Sequence, residues 1–198
     1  MIDKLSFLGI KEMCRDIWAF LQKDSWQSFL VTLLLAFIII KFVFFPGLSL
    51  ITGTSLPLVI VESCSMYHHD PGFENTFSNS VYERYGITLN DSEDWAFQNG
   101  FSKGDIIFVL GAKNIEIGDV IIFNGGEKHP LIHRVIKTGD SYATKGDNYK
   151  TNPDVYPFDK NIHKDAVIGK ALFRIPAVGW AKLIFFEAGR DDRNRGMC

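Results

Sequence analysis

Cysteine is scarce in this chain. Cys14, Cys64 and Cys198 are the only three in 198 residues, an odd number with no CxxC pair, which suggests neither a disulfide framework nor a thiolate metal site. An excess of one charge is also lacking. With 21 Lys and Arg against 23 Asp and Glu, the net charge of −2 offers no basic field to gather nucleic-acid phosphates, so a nucleic-acid partner is not expected. Neither an internal repeat nor a low-complexity tract is present, and the length suits one ordinary domain with a small appendage.

What is present is unevenly spread. Phe29 to Phe45 holds 15 apolar residues in 17, and with flanks from Ser25 to Leu50 it matches the roughly 30 Å hydrocarbon core at about 1.5 Å per residue. A transmembrane helix over 28–50 is expected, with Lys41 near its outer end, where an ammonium can snorkel to the interface. Lys11, Arg15 and Lys23 precede the run and no Lys or Arg lies between Phe42 and Glu83, so the N-terminus is expected in the cytoplasm and the remainder outside it. A cleavable signal peptide fits poorly, because the run starts late and lacks a small-x-small site before Pro46. Residues 1–27 place Leu5, Leu8, Ile10, Met13, Ile17 and Phe20 at helical spacing among charges, which suggests an amphipathic helix on the inner face. Pro46-Gly47 is expected to stop the membrane helix, with 49–57 as linker.

Beyond residue 56 short apolar runs take over: 58–61, 106–110, 120–123, 131–136, 142–144 and 167–175, punctuated by Gly-Asp and Asn-Gly turns. This rhythm, without long intervening helices, predicts a mainly β, partly barrel-like domain over 56–176. Residues 69–102 break it. They carry Asp70, Glu74, Glu83, Asp91, Glu93 and Asp94 against Arg84 alone, with Phe77, Val81 and Tyr85 at i+4 and an apparent capping box at Asn90-x-x-Glu93. Two short helices in an insertion are expected.

Three elements carry chemistry. Val59-Ile-Val-Glu-Ser-Cys-Ser-Met66 leaves an apolar strand for a small polar cluster, and alternation puts Ser63 and Ser65 on one face with Cys64 on the other. One hydroxyl can be a nucleophile while the other donates to an oxyanion beside a backbone N–H. A serine needs a base, and His133 in the strand Leu131-Ile-His-Arg-Val-Ile136 has suitable chemistry. An imidazole base needs an acceptor on its second nitrogen, for which Asp147 and Asp154 in the following loop are candidates. Other readings are weaker: His68-His69-Asp70 as metal ligands, Cys64 as a thiol nucleophile, and Lys145 as base of a Ser-Lys dyad, its turn position favouring a solvated side chain.

The ordered segments Ser63-x-Ser65-Met66, Lys103-Gly-Asp-Ile-Ile107, Gly118-Asp-Val-Ile-Ile122, Ile132-His-Arg-Val135, Thr144-Lys-Gly-Asp-Asn148 and Phe173-Arg-Ile-Pro176 resemble type I signal peptidases over roughly 56–180. The resemblance implies a signal-peptidase-like β fold, Ser65 as nucleophile and Ser63 as oxyanion-hole hydroxyl. His133 stands where the bacterial branch has lysine, which is similar to the archaeal and endoplasmic-reticulum branch. In that branch two aspartates matter, and they map to Asp147 and Asp154, with Asp159 as an alternative because Asp154 follows Asp147 by seven residues rather than six. Cys64 and Tyr67-His68 replace the usual Gly and Pro around the nucleophile, and about 35 residues separate Met66 from Lys103 where the family is compact.

The implied activity is a serine endopeptidase that removes signal peptides, without metal or organic cofactor. Expected partners are secretory precursors, membrane lipid touched by Phe158 or a surface helix within 177–186, and accessory membrane subunits. The expected location is the plasma membrane, single-pass, with the endoplasmic reticulum as alternative, and the tail from Gly189 is expected to be solvated. The rival from another class is a catalytically idle β module that holds a protein partner through the acidic insertion.

Overall fold

The long apolar run becomes a helix, and its termini follow from capping chemistry. The computed structural model describes residues 2–69, 73–78, 80–189 and 195–198, with backbone alone for 2–10, 14 and 78. Asp70 and the charged tail residues Arg190, Asp191, Asp192 and Arg193 lie outside the described residues. The chain forms two units, Met1–Leu48 and Ser49–Cys198.

In the first unit α1 spans Ile2–Leu21 and α2 spans Trp26–Ile39. Ser25 caps α2 by accepting from the Ser28 N–H at 3.2 Å, and Ser28 Oγ donates back to Leu21 O at 2.9 Å. A π turn at Ile40–Phe44 leads into α3, Phe45–Thr52, so the helical rod runs from Trp26 to Thr52, long and apolar enough to cross a membrane. Pro46-Gly47 does not stop it, contrary to expectation. The Phe45 N–H bonds five residues back to Ile40 O, and this widened turn accommodates a proline that has no N–H to give and whose ring would press on the carbonyl four residues back. The rod ends instead at Gly53, whose φ of +68° suits the residue after a helix and whose N–H bonds to Ser49 O.

The second unit is built on one antiparallel sheet of β1 (Leu58–Ile60), β2 (Ile106–Leu110), β3 (Val120–Phe123), β4 (Leu131–Lys137), β5 (Ala143–Lys145) and β6 (Val167–Ile175). The spatial order is β1-β2-β6-β3-β4-β5, so β1 and β5 are its edges. All six expected strands are present and the mainly β reading holds. The Gly-Asp turns work alike: Gly104 and Gly118 take φ of +90° and +94°, while Asp105 and Asp119 accept the N–H of Ser102 and Glu116, each at 2.9 Å. β3 is buried on both faces, and alternation divides it between two cores. Val120 and Ile122 join Met66, Phe101 and Ile132, whereas Ile121 and Phe123 join Val135 and Ile162.

The insertion is less helical than expected. Among its described residues it has one α turn, α4 (Val81–Arg84), and 3-10 turns at Thr76–Ser78 and Asn90–Ser92. The capping box is absent; Asp91 closes that loop by accepting from the N–H and hydroxyl of Thr88, both at 2.7 Å. Aromatic packing holds the segment together. Phe77 stacks on Tyr82 at 4.2 Å, and Val81, Tyr82 and Ile87 bury against Ile136, Ala143 and Val155, tying the insertion to β4 and β5. The expected surface helix within 177–186 is a single turn, α5 (Trp180–Leu183), after which Ile184, Phe185 and Phe186 are exposed.

Candidate active site

The chain leaves β1 through Val61, whose N–H and C=O pair with Asp105 and Gly104, and enters the turn that carries Ser63 and Ser65. Their hydroxyl oxygens lie 3.2 Å apart. Met66 behind them is buried in the core, and the Tyr67 N–H closes the turn onto Cys64 O at 3.1 Å. Asn148 grips the turn from outside: its N–H donates to Ser65 O at 2.9 Å and its amide to Cys64 O at 2.7 Å. The nucleophile candidate is therefore held by main-chain bonds on both of its flanks.

His133 sits in the middle of β4, its side chain only 3% exposed, with Nδ1 2.6 Å from Asp159 Oδ1. Thr144 donates its hydroxyl to the same oxygen at 2.5 Å. Thr144 pairs with Val135 across the β4–β5 ladder, so parity puts it on the His133 face of the sheet. A carboxylate bound to Nδ1 leaves Nε2 as the nitrogen that can accept a proton.

The two aspartates favoured from sequence are engaged elsewhere. Asp147 is fully buried and bonded by the Arg134 guanidinium at 2.7 Å to Oδ2 and 3.0 Å to Oδ1, and by His68 Nε2 at 3.1 Å. Burial pushes its carboxyl up, but Arg134 and the His68 hydrogen bond outweigh that and hold it at about 2. Asp154 is 58% exposed and pairs with Arg84 at 2.5 Å; the bond from the Val155 N–H, then the Arg84 contact, lower its carboxyl. Neither touches His133; the carboxylate that does is Asp159, the alternative held in reserve. The sequence hid this because 26 residues and a long loop separate His133 from Asp159. The 3-10 turn at Pro157–Asp159, started by a proline after an extended Tyr156, is the local signal that fixes this carboxylate in place.

Two further expectations are corrected, that Lys145 is solvated and that the three cysteines form no disulfide. Lys145 is fully buried rather than solvated, with Nζ donating to Gly146 O at 2.9 Å and lying 5.3 Å over the Tyr82 ring. It pairs with Arg134 in the ladder, on the sheet face opposite Thr144 and His133, and among the described residues no hydrogen bond joins it to Ser65, as a Ser-Lys dyad would need. Cys64 forms a disulfide with Cys198, which also removes the thiol that the weaker nucleophile reading required.

A groove of about 620 Å³ is lined by Ser65 together with the β1 residues Leu58 and Ile60 and with Leu131, Ile132 and Phe158. Its wall thus contains Ser65 itself and the chain neighbours of His133 and Asp159. Among the described residues no hydrogen bond joins Ser65 to His133, a looseness common before substrate closes such sites.

No family model matches the chain. Curated relatives do. It is 26% identical over 156 residues to a signal peptidase complex catalytic subunit of Penicillium rubens, covering 74% of this chain and 71% of that protein. Its identity to the corresponding subunit of Komagataella phaffii is 27% over 161 residues, covering 74% and 76%. For the catalytic subunit of Canis lupus familiaris it is 28% over 149 residues, 70% of this chain and 62% of that one. The chain is a homologue of signal peptidase catalytic subunits. The resemblance noted in the motifs thus extends over about three quarters of its length.

Proposed function

We propose that this homologue of signal peptidase catalytic subunits is a membrane-anchored serine endopeptidase that removes N-terminal signal peptides from secretory precursors. Ser65 is the nucleophile, His133 the general base and Asp159 the carboxylate that orients it. The observation that carries this reading is the buried His133–Asp159 pair at 2.6 Å, whose chain neighbours Ile132 and Phe158 line the same groove as Ser65.

A precursor enters extended along β1, a sheet edge whose outer main-chain groups can add a strand. Ser65 attacks the scissile carbonyl and gives its proton to His133, whose imidazolium Asp159 stabilises. The Ser65 N–H and the Ser63 hydroxyl hold the oxyanion. His133 then passes the proton to the departing amine, and water resolves the acyl-enzyme by the same route. The helix from Trp26 to Thr52 anchors the enzyme with its N-terminus in the cytoplasm and Ser49–Cys198 outside it, confining enzyme and inserted substrate to one layer. Exposed Phe185 and Phe186 suit contact with lipid, and the relatives' membership of a complex supports accessory subunits for this chain. The topology is the same for the plasma membrane and for the endoplasmic reticulum.

The test is cleavage of a secretory precursor by the full-length chain in detergent. Ser65→Ala and His133→Ala should each lower kcat by about 10³-fold or more, and Asp159→Asn by about 10²- to 10⁴-fold. Asp154→Ala should stay within about threefold, as befits a solvated ion pair. Undiminished cutting by Ser65→Ala would overturn the assignment. Absence of cutting by the wild type, membranes and partner subunits included, would favour the idle binding module.

A further inference from the structure

We infer that His68 is a positioning residue that holds the nucleophile turn in register by tying it to Asp147. The inference rests on the peptidase reading for its kinetic consequence, but the tie itself is a matter of geometry.

His68 stands three residues after Ser65, one position beyond Tyr67, where the family resemblance leads one to expect a proline. A proline would stiffen the turn through its ring. Here the stiffening is done by a side-chain bond, His68 Nε2 to Asp147 Oδ2 at 3.1 Å, between side chains that are 3% and 0% exposed. The next residue, Asn148, makes the two bonds that grip Cys64 O and Ser65 O. One dipeptide, Asp147-Asn148, therefore holds the turn on the nucleophile and again just beyond it. Asp147 cannot follow a drifting turn, because Arg134 clamps it by both carboxylate oxygens and is itself bonded to the carbonyls of Gly118 and Ala96. Arg134 is the residue after His133. A continuous buried chain of bonds thus connects the Ser65 turn to the strand that carries the base.

The space for the imidazole is built in. Its ring packs edge-on against Phe73 at 5.0 Å, and a Cβ at Gly100 would come within 2.6 Å of its Cδ2. Arg134 and the His68 hydrogen bond hold the Asp147 carboxyl at about 2, so near neutral pH the carboxylate accepts from Nε2–H. An angular error in the turn would displace Oγ without altering the groove that binds substrate, so the cost should fall on kcat.

The test compares His68→Ala, His68→Gln and His68→Asn in the full-length chain in detergent. A glutamine amide nitrogen reaches the Nε2 position, whereas the asparagine amide reaches only that of Nδ1. His68→Ala and His68→Asn should lower kcat about ten- to a hundredfold with KM within about twofold, and His68→Gln should return it to within about threefold. Deuterium exchange of the segment around Ser63–Tyr67 should quicken in the Ala and Asn variants and not in the Gln variant. If the Ala variant fails to fold, the Gln and Asn pair makes the same comparison. Equal kinetics and exchange in the Gln and Asn variants, or wild-type behaviour in the Ala variant, would overturn the inference. If the wild type cuts no precursor the peptidase reading fails, and exchange still decides whether the tie exists.

Discussion

Burying Arg134 is expensive unless its charge is met, and Asp147 is the group that meets it. Asp147→Asn leaves a guanidinium in the interior without a counter-charge and should cost about 3–5 kcal/mol at neutral pH. The carboxyl sits at about 2 against an ordinary 3.8, so its contribution is complete above pH 4 and disappears as pH falls through 2. Thermal denaturation in pH steps should show the wild-type advantage steady from pH 5 to 7 and shrinking between 4 and 2. Lys145 runs the opposite way along the pH axis. Burial lowers its ammonium to about 8 from 10.5, although Asp147 and Asp159 pull upward. Its charged form is a burden below pH 8, and stability from this group rises as pH climbs from 8 towards 10.5. Lys145→Met should be at least as stable as the wild type at pH 7, with any advantage gone by pH 10.5; an equal loss at both pH values would contradict this. At this scale the settings of Ser65 and His133 were legible, one in the turn that follows an apolar strand and the other at the centre of one. Asp159 was not. Its approach to His133 depends on loop closure, whereas Asp147, adjacent in the motif, is captured by the buried arginine beside the base.

Strands were the most legible elements, since short continuous apolar runs bounded by Gly-Asp turns leave little freedom in where a strand starts. The insertion was read less well, because Phe77, Val81 and Tyr85 at helical spacing describe one buried face of an irregular segment as readily as a helix. Gly100 shows what that segment does for the site. Its φ is +60°, and a Cβ there would lie 2.2 Å from Met66 O, which accepts from the Phe101 N–H at 2.8 Å immediately beyond the nucleophile. Gly100→Ala must move Met66, so it should cost about 1–3 kcal/mol and lower kcat about tenfold or more. Gly86→Ala is the matched control. Its φ is +72° with nothing within 4 Å, so it should cost about 1 kcal/mol of backbone strain and leave cleavage unchanged. Equal activity losses in the two variants would mean that the insertion does not buttress the nucleophile turn.

At the scale of the whole molecule, the disulfide joins Cys64, the residue before Ser65, to Cys198. Cys64 and Cys198 have Cα atoms 5.8 Å apart across a separation of 134 residues, a pairing that an odd count of three cysteines concealed. Such a bond persists only in an oxidising compartment, which agrees with the side of the membrane assigned to this unit from the basic residues near its anchor. The two lines of reasoning are independent: one uses charge flanking a helix, the other thiol chemistry in a β domain. Under denaturing, non-reducing conditions the purified chain should titrate with one thiol, Cys14, and after reduction with three. Closing so long a loop should contribute about 2–5 kcal/mol, so Cys198→Ser should lower Tm and gain nothing further from reductant, whereas the wild type should fall to the variant's Tm once reduced. Three thiols before reduction would remove both the bridge and its support for an extracytoplasmic site, leaving the topology to rest on the positive charges alone.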